Sequence, residues 1–202
     1  MPCNKRSPGS GCAAINGINR MHAIFGWSEA CVAVYPSDMA VALVALNANV
    51  NVLQADGQQR IIPIKDFHRL PGTNPEVDNQ LKHGELITSI ELPPNNFAAH
   101  SAYLKVRDRN SYAFALVSVA AGLVLEGTKI VSAHIAMGGV AHKPWLAIEA
   151  EEFLKGKQAT VANFRLAAAA VMQQAKPLVH NEFKLELGKR TIVRALELAV
   201  KG

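Results

Sequence analysis

Residues 116–139 read LVSVAAGLVLEGTKIVSAHIAMGG and decide the fold of the second half of the chain. Two apolar runs flank the short polar stretch EGTK, which is the pattern of a β-hairpin with a tight turn. The preceding residues, 101–115, read SAYLKVRDRNSYAFA and begin as another strand. Three segments with helical periodicity follow the hairpin, at 145–156, 160–176 and 186–202. We therefore predict that antiparallel strands and three helices bury a shared apolar face.

The helical periodicity also predicts which side chains form that face. The residues predicted to be buried are Leu146, Ile148, Phe153 and Leu154 in the first helix, Phe164, Leu166 and Val171 in the second, and Ile192, Leu196 and Ala199 in the third.

The first half of the chain is richer in strands. Residues 31–36, CVAVYP, and 85–93, ELITSIELP, are typical of strands, and 49–64, NVNVLQADGQQRIIPI, alternate around a hairpin turn. Residues 37–48, SDMAVALVALNA, begin with a capping residue, Ser37 or Asp38, and place Met39, Leu43 and Leu46 on one helical face. Strands followed by helices indicate an α+β fold, with a division near residues 93 and 94.

Composition excludes several classes of function. The chain has 202 residues and a net charge of +5, but its basic residues are scattered rather than arranged in an aromatic-interleaved stripe, so we predict no binding of nucleic acid. The longest apolar runs are too short or too interrupted to span a bilayer, which predicts no membrane insertion. No apolar signal segment follows the N-terminus, so we predict a cytoplasmic protein.

Three cysteines are the first candidates for chemistry. Cys3, Cys12 and Cys31 are separated by eight and eighteen residues, and no Cys-x-x-Cys pair occurs, so zinc-finger and ferredoxin spacing both fail. An odd number of cysteines argues against a disulfide framework. Spacing alone favours ordinary thiols, although thiolates on flexible loops also suit an iron–sulfur cluster, whose ligands need only converge in space.

Two further stretches are candidate functional sites, and each has two interpretations. Lys105, Arg107 and Arg109 alternate, so in a regular strand they share one face, which is either a solvated surface or an anion or cofactor site with Tyr112 nearby. Two consecutive glycines, 138 and 139, follow a predicted strand and indicate either a turn or a close backbone approach to another group.

Four stretches occur in an order that resembles a known family. They are YPSDMAVALVAL at 35–46, ELITSIELP at 85–93, YLKVRDRNSYAFALVSVA at 103–120 and IAMGGVAHKPWLAIEAEEFLKGK at 135–157. This order resembles the FAD-binding subunit of the xanthine dehydrogenase family of molybdenum hydroxylases, and within it the aldehyde oxidoreductases. The resemblance implies that residues 1–95 are part of the second FAD-binding subdomain, with an iron–sulfur loop at 1–31. It also implies that residues 96–202 form a C-terminal domain, like that of CO dehydrogenase flavoproteins, with an antiparallel sheet and a three-helix bundle.

The resemblance also assigns residues and partners. It implies FAD contacts at Asp38, Ile87, Lys105, Arg109 and Tyr112. It implies that Cys3, Cys12 and Cys31 are three of the four ligands of a 4Fe-4S cluster, with the fourth just upstream of Met1. The family's first FAD-binding subdomain and its Gly-Gly-Asn segment are not among these residues, so the chain is expected to be truncated and both cofactor sites incomplete.

The implied function is that of an electron-transfer subunit. Electrons from a molybdenum-cofactor-binding large subunit would pass through a 2Fe-2S subunit to FAD and then to an acceptor. The implied relatives leave open a periplasmic location by co-export with a partner. Two alternatives remain: a non-catalytic docking or assembly module of such a complex, and another flavoprotein branch of the same fold in which the cysteines are incidental.

Overall fold

A computed structural model describes all 202 residues, and its second half is built on one antiparallel sheet. The four strands are β4 (Ser101–Val106), β5 (Val117–Glu126), β6 (Lys129–Gly138) and β7 (Trp145–Leu146), in the order β4-β5-β6-β7. The hairpin between β5 and β6 turns at Gly127, whose φ of 59° suits glycine. The predicted hairpin at residues 116–139 is therefore confirmed.

Three helices lie on one side of this sheet, the first and third packed on its strands and the second packed on the other two helices. They are α3 (Ile148–Leu154), α4 (Val161–Met172) and α5 (Phe183–Lys201). Helix α5 packs on β4 and β5, and α3 packs on β6. The predicted core residues buried here are Leu154, Phe164, Val171, Ile192, Leu196 and Ala199. The prediction is wrong for Ile148 and Leu166, which are 48% and 56% exposed.

The first half forms a second antiparallel sheet, of three strands. Its strands are β1 (Asn49–Leu53), β2 (Gln59–Pro63) and β3 (Leu86–Glu91), in the order β2-β1-β3, with a short helix α2 (Ile64–Phe67) after β2. Helix α1 (Asp38–Ala45) lies between the sheets and contacts β5 and β6. A second apolar cluster joins α1 and the small sheet to Ala120 and Ala136 of the large one. The division at residues 95 and 96 therefore stays a proposal, with this core shared across it.

One local prediction in the first half is wrong, and the buried face of α1 is made of other residues than Met39, Leu43 and Leu46. Residues 31–36 form no strand, because their backbone groups bond to different segments, with Val32 accepting from Ala23 and Tyr35 donating to Ala141. In α1 the buried face consists of Ala40, Val41, Val44 and Ala45, whereas Met39 is 65% exposed. The small side chains face inward because α1 lies close to the sheet over Gly138, where a larger residue has no room.

No helix of the chain combines the length and the apolar character needed to cross a membrane.

Candidate functional site

Two adjoining cavities open at the N-terminus of α1, on the side of the large sheet opposite α4 and α5. The wider cavity has a volume of about 740 Å³ and is lined by Met21, Pro36, Asp38, Lys105, Asp108, Arg109, Tyr112, Ala113 and Phe114. The narrower one has about 260 Å³ and includes Ser37, Ser118, Gly138 and Gly139 in its wall. Met21, Pro36, Asp38 and Phe114 line both, so the two cavities form one cleft. Hereafter we call them the wide cavity and the narrow cavity.

Asp38 is the charged centre of this cleft. The hydroxyl of Ser37 caps α1 by accepting a hydrogen bond of 3.2 Å from the Ala40 amide, as the sequence predicts, and this fixes the first turn that carries Asp38. Its Oδ2 accepts a 2.7 Å hydrogen bond from Nζ of Lys105, and its Oδ1 accepts one of 2.9 Å from the hydroxyl of Tyr103. Asp38 and Lys105 therefore form an ion pair that is neutral as a unit.

Tyr103 is a residue of this site that sequence reasoning missed. It lies two residues before Lys105 on β4, so both side chains point to the same face of the strand. Burial raises the pKa of its phenol, the nearby Ser118 hydroxyl opposes the rise, and the Asp38 carboxylate adds to it. Tyr103 therefore remains a neutral donor that orients Asp38.

The three basic residues of the stretch 105–109 do not share one strand. Strand β4 ends at Val106, so Arg107 lies beyond it and lines neither cavity, while Arg109 turns back into the wide cavity. The Arg109 guanidinium donates two hydrogen bonds to the carbonyl of Tyr112, one from Nε at 3.1 Å. Tyr112 has a φ of 51° and is 95% exposed, so this clamp holds a strained backbone that presents the aromatic ring to solvent at the cavity.

The floor of the narrow cavity needs glycine at two positions. A Cβ on Gly138 would collide with Ser118 Oγ and Val41 Cγ2, and Gly139 has a φ of 71°, where a Cβ would collide with the carbonyl oxygens of Ala115 and Leu116. Close backbone approach is therefore the correct interpretation of the glycine pair. The hydroxyl of Ser118 lies in the same wall, is buried and has no hydrogen-bond partner within the protein.

A buried lysine fixes this floor from behind. Nζ of Lys184, on α5, donates hydrogen bonds of 2.7 Å to the carbonyl of Gly139 and 2.9 Å to that of His22. The residue is 0% exposed, and burial, with a smaller contribution from Arg20, lowers the pKa of Lys184 to about 8. No sequence pattern distinguishes Lys184 from the solvated lysines of α5, since its partners come from two distant loops.

Ile87 lies apart from the other predicted contacts. It belongs to β3, where it pairs with Val52, and it lines neither cavity. It is 48% exposed. Four large apolar residues on or beside this edge strand are between 39% and 65% exposed: Leu86, Ile87, Ile90 and Leu92. The structure thus brings together Asp38, Lys105, Arg109 and Tyr112 and leaves Ile87 on a separate apolar edge.

The cysteines lie on the N-terminal loop. Cys3 and Cys12 face each other across an isolated backbone bridge, and Cys31, which is buried, pairs with Ser28. Burial raises the pKa of the Cys31 thiol, whereas the Arg6 amide, followed by the charges of nearby cations, lowers the pKa of Cys3. Cys12 and Cys3 add to the raised pKa of Cys31, so the three cysteines lie in one neighbourhood, although no three His, Cys, Asp or Glu side chains form a group that could hold a single metal ion.

Comparisons with known proteins match both halves of the chain. The family model described as the FAD binding domain in molybdopterin dehydrogenase matches residues 18–95. The model described as the CO dehydrogenase flavoprotein C-terminal domain matches residues 101–199. The first match includes Asp38 and Ile87, and the second includes Lys105, Arg109 and Tyr112.

Relatives of known function have similar sequences. The aldehyde oxidoreductase FAD-binding subunit PaoB of Escherichia coli K12 is 48% identical over 195 residues, which are 96% of this chain and 58% of PaoB. The glyceraldehyde dehydrogenase medium chain of Sulfolobus acidocaldarius is 36% identical over 141 residues, 70% of this chain and 47% of that protein. The chain therefore spans about half the length of these relatives.

A solved structure has a similar fold. A chain of quinoline 2-oxidoreductase from Pseudomonas putida 86 superimposes with a TM-score of 0.69 at 25% identity, covering 91% of this chain and 60% of the other.

Proposed function

This chain belongs to the family that joins the FAD binding domain of molybdopterin dehydrogenases to the CO dehydrogenase flavoprotein C-terminal domain, and we propose that it binds FAD and transfers electrons. In this proposal it is part of the flavoprotein subunit of a molybdenum hydroxylase such as an aldehyde oxidoreductase or xanthine dehydrogenase. The bound flavin would accept electrons from iron–sulfur centres and pass them to an acceptor. Substrate oxidation itself would take place on another subunit.

One observation carries the proposal: the cleft at the N-terminus of α1 combines a charge pair, aromatic side chains and a glycine floor. Lys105 and Asp38 present paired charges, while Tyr112 and Phe114 are 95% and 65% exposed and offer ring faces for stacking. The unpartnered Ser118 hydroxyl and the two glycines of the floor fit a ligand that approaches the backbone closely and brings its own polar atoms.

The residues of this cleft have distinct roles in the proposal. Lys105 and Asp38 set the charge beside the flavin, and Tyr103 orients Asp38. Arg109 holds Tyr112 in place at the cleft. Ile87 keeps its predicted role as an apolar FAD contact only if the remainder of the site extends to β3.

The decisive experiment is an absorption spectrum of the complete polypeptide, purified as it occurs naturally. We expect flavin bands and close to one FAD released per polypeptide on denaturation. A colourless protein that does not take up added FAD would contradict the proposal. Flavin without any broad absorption beyond its bands would favour the branch of this fold in which the cysteines are incidental.

A second candidate function is a docking or assembly module, and the edge strand β3 favours it. Ile87 and Ile90 pair with Val52 and Val50, so they share one face of the sheet, and they are 48% and 39% exposed. Such an edge is normally covered by other protein. A molybdenum-cofactor-binding large subunit and a 2Fe-2S subunit are the partners we propose, and they are compatible with FAD binding on the same chain.

Two finer points remain proposals. A 4Fe-4S cluster on Cys3, Cys12 and Cys31 requires a fourth ligand, so we derive no electron-transfer step through it. The proposed location is cytoplasmic, with co-export to the periplasm on a partner subunit as the alternative; fractionation of cells that express the complete protein distinguishes the two.

A further inference from the structure

Ser118 is an unusual residue for the centre of a sheet. It is 1% exposed, and its Oγ has no hydrogen-bond partner within the protein. Burying a hydroxyl without a partner reduces the free energy of unfolding, and alanine would avoid that loss. The hydroxyl is therefore better explained by a ligand than by the stability of the fold.

The position of Ser118 places this hydroxyl at the candidate site. It is paired with Lys105 on β4 and with Gly138 on β6, so the three lie in one row across the sheet and face α1. Ser118 is part of the wall of the narrow cavity. Because a Cβ on Gly138 would collide with Ser118 Oγ, glycine at 138 keeps room for the hydroxyl.

We propose that the Ser118 hydroxyl hydrogen-bonds the riboflavin half of bound FAD in the narrow cavity. This inference rests on the proposed function. The riboflavin half is indicated because Ser118 lies one strand spacing, about 4.8 Å, from Lys105. Lys105 in turn lines the wide cavity, where the exposed rings of Tyr112 and Phe114 suit a planar aromatic ligand.

The Tyr103 hydroxyl is the competing partner within the protein. It lies near Ser118, but its hydrogen bond goes to Oδ1 of Asp38 at 2.9 Å. If Ser118 instead bonded Tyr103, its removal would destabilise the flavin-free protein. If Ser118 binds the ligand, its removal does not destabilise the flavin-free protein. Measuring protein stability and flavin affinity together therefore distinguishes the two roles of Ser118.

The test compares Ser118→Ala with wild type in the complete, flavin-free polypeptide. Ser132→Ala is the matched control, since Ser132 lies on the neighbouring strand β6 and lines a different cavity, beside Pro93 and Phe97. Thermal unfolding measures stability, and calorimetric titration measures binding of FAD, riboflavin and ADP. Ser118→Cys provides a second variant that fills the same space with a weaker hydrogen-bonding group.

We expect Ser118→Ala to melt no lower than wild type and to bind FAD and riboflavin about threefold to tenfold more weakly, equivalent to about 0.6–1.4 kcal/mol. ADP affinity and the control variant remain unchanged. If Ser118→Ala binds flavin as tightly as wild type does, whether or not its melting temperature falls, the inference is overturned and the proposed function remains intact. A loss of ADP affinity alone overturns the assignment to the riboflavin half. Wild-type protein that binds no flavin overturns the inference and the proposed function together.

Discussion

The ion pair between Lys105 and Asp38 gives the most informative prediction, because removing either partner leaves the other charge unpaired beside the proposed flavin. Nζ of Lys105 lies 2.7 Å from Oδ2 of Asp38, so the intact pair is nearly neutral seen from outside. Lys105→Met leaves a carboxylate, which disfavours the reduced, anionic flavin and lowers its potential. Asp38→Asn leaves an ammonium group and raises the potential.

The magnitude follows from the exposure of the pair. The Lys105 side chain is 21% exposed and that of Asp38 is 45% exposed, so the effective dielectric constant lies between about 20 and about 80. For an unpaired charge about 6 Å from the flavin ring, the Coulomb energy between that charge and the reduced, anionic flavin is about 0.7 to 2.8 kcal/mol. Since ~59 mV corresponds to a tenfold change for one electron, each variant should shift the potential by about 30 to 120 mV.

The assay is a spectroelectrochemical titration of the flavin-loaded complete protein. Wild type is compared with both single variants and with the double variant Asp38→Asn/Lys105→Met, which restores a neutral pair and should lie near wild type. Arg107→Met is the matched control, since this arginine is exposed and lines neither cavity. Shifts of the same sign in the two single variants, or no shift at full flavin occupancy, would refute the reasoning.

Three further predictions concern the fold and the cysteine loop. Leu196→Asp puts a charge at a site that is 0% exposed and should lower the free energy of unfolding by about 3 kcal/mol or more. Leu166→Asp, at a site that is 56% exposed, should lower it little. Equal melting temperatures of the two variants would show that α5 does not face the core. Burial raises the pKa of Glu151 to about 7 from 4.5, so its contribution to stability is full below pH ~4.5 and is lost as the pH rises through 7. Glu151→Gln should therefore raise the free energy of unfolding by about 1–3 kcal/mol at pH 8 and change it little at pH 4, which pH-dependent denaturant unfolding checks. The 202-residue chain should not keep four iron atoms through gel filtration after anaerobic reconstitution, because it offers three cysteine thiolates where such a cluster takes four; four retained iron atoms with matching acid-labile sulfide would show otherwise.

Local patterns predicted the elements whose causes are local. The hairpin at residues 116–139 follows from two apolar runs and a turn, and Ser37 was identifiable as a cap because capping needs only the next few residues. The buried face of α1 could not be predicted in the same way. It depends on how closely the helix approaches Gly138, a contact across about 100 residues of sequence that periodicity does not contain.

The site was predictable only in part for the same reason. The resemblance supplied Asp38 and Lys105, but their ion pair and the hydrogen bond from Tyr103 appear only when α1 is placed against β4. The alternation of basic residues wrongly extended the strand to Arg109, because a sequence pattern does not show that β4 ends at Val106. Ser118 and Lys184 carried no sequence signal, since a serine in an apolar strand and a lysine in an amphipathic helix are both common.

Hydrogen exchange of the complete protein with and without bound FAD tests the central claim most directly. The account predicts that FAD slows amide exchange in residues 37–41 and 103–118, which surround the cleft at the N-terminus of α1, and that ADP alone does not reproduce the protection at 103–118. Protection confined to segments outside the cleft, in a protein that binds FAD stoichiometrically, would contradict it.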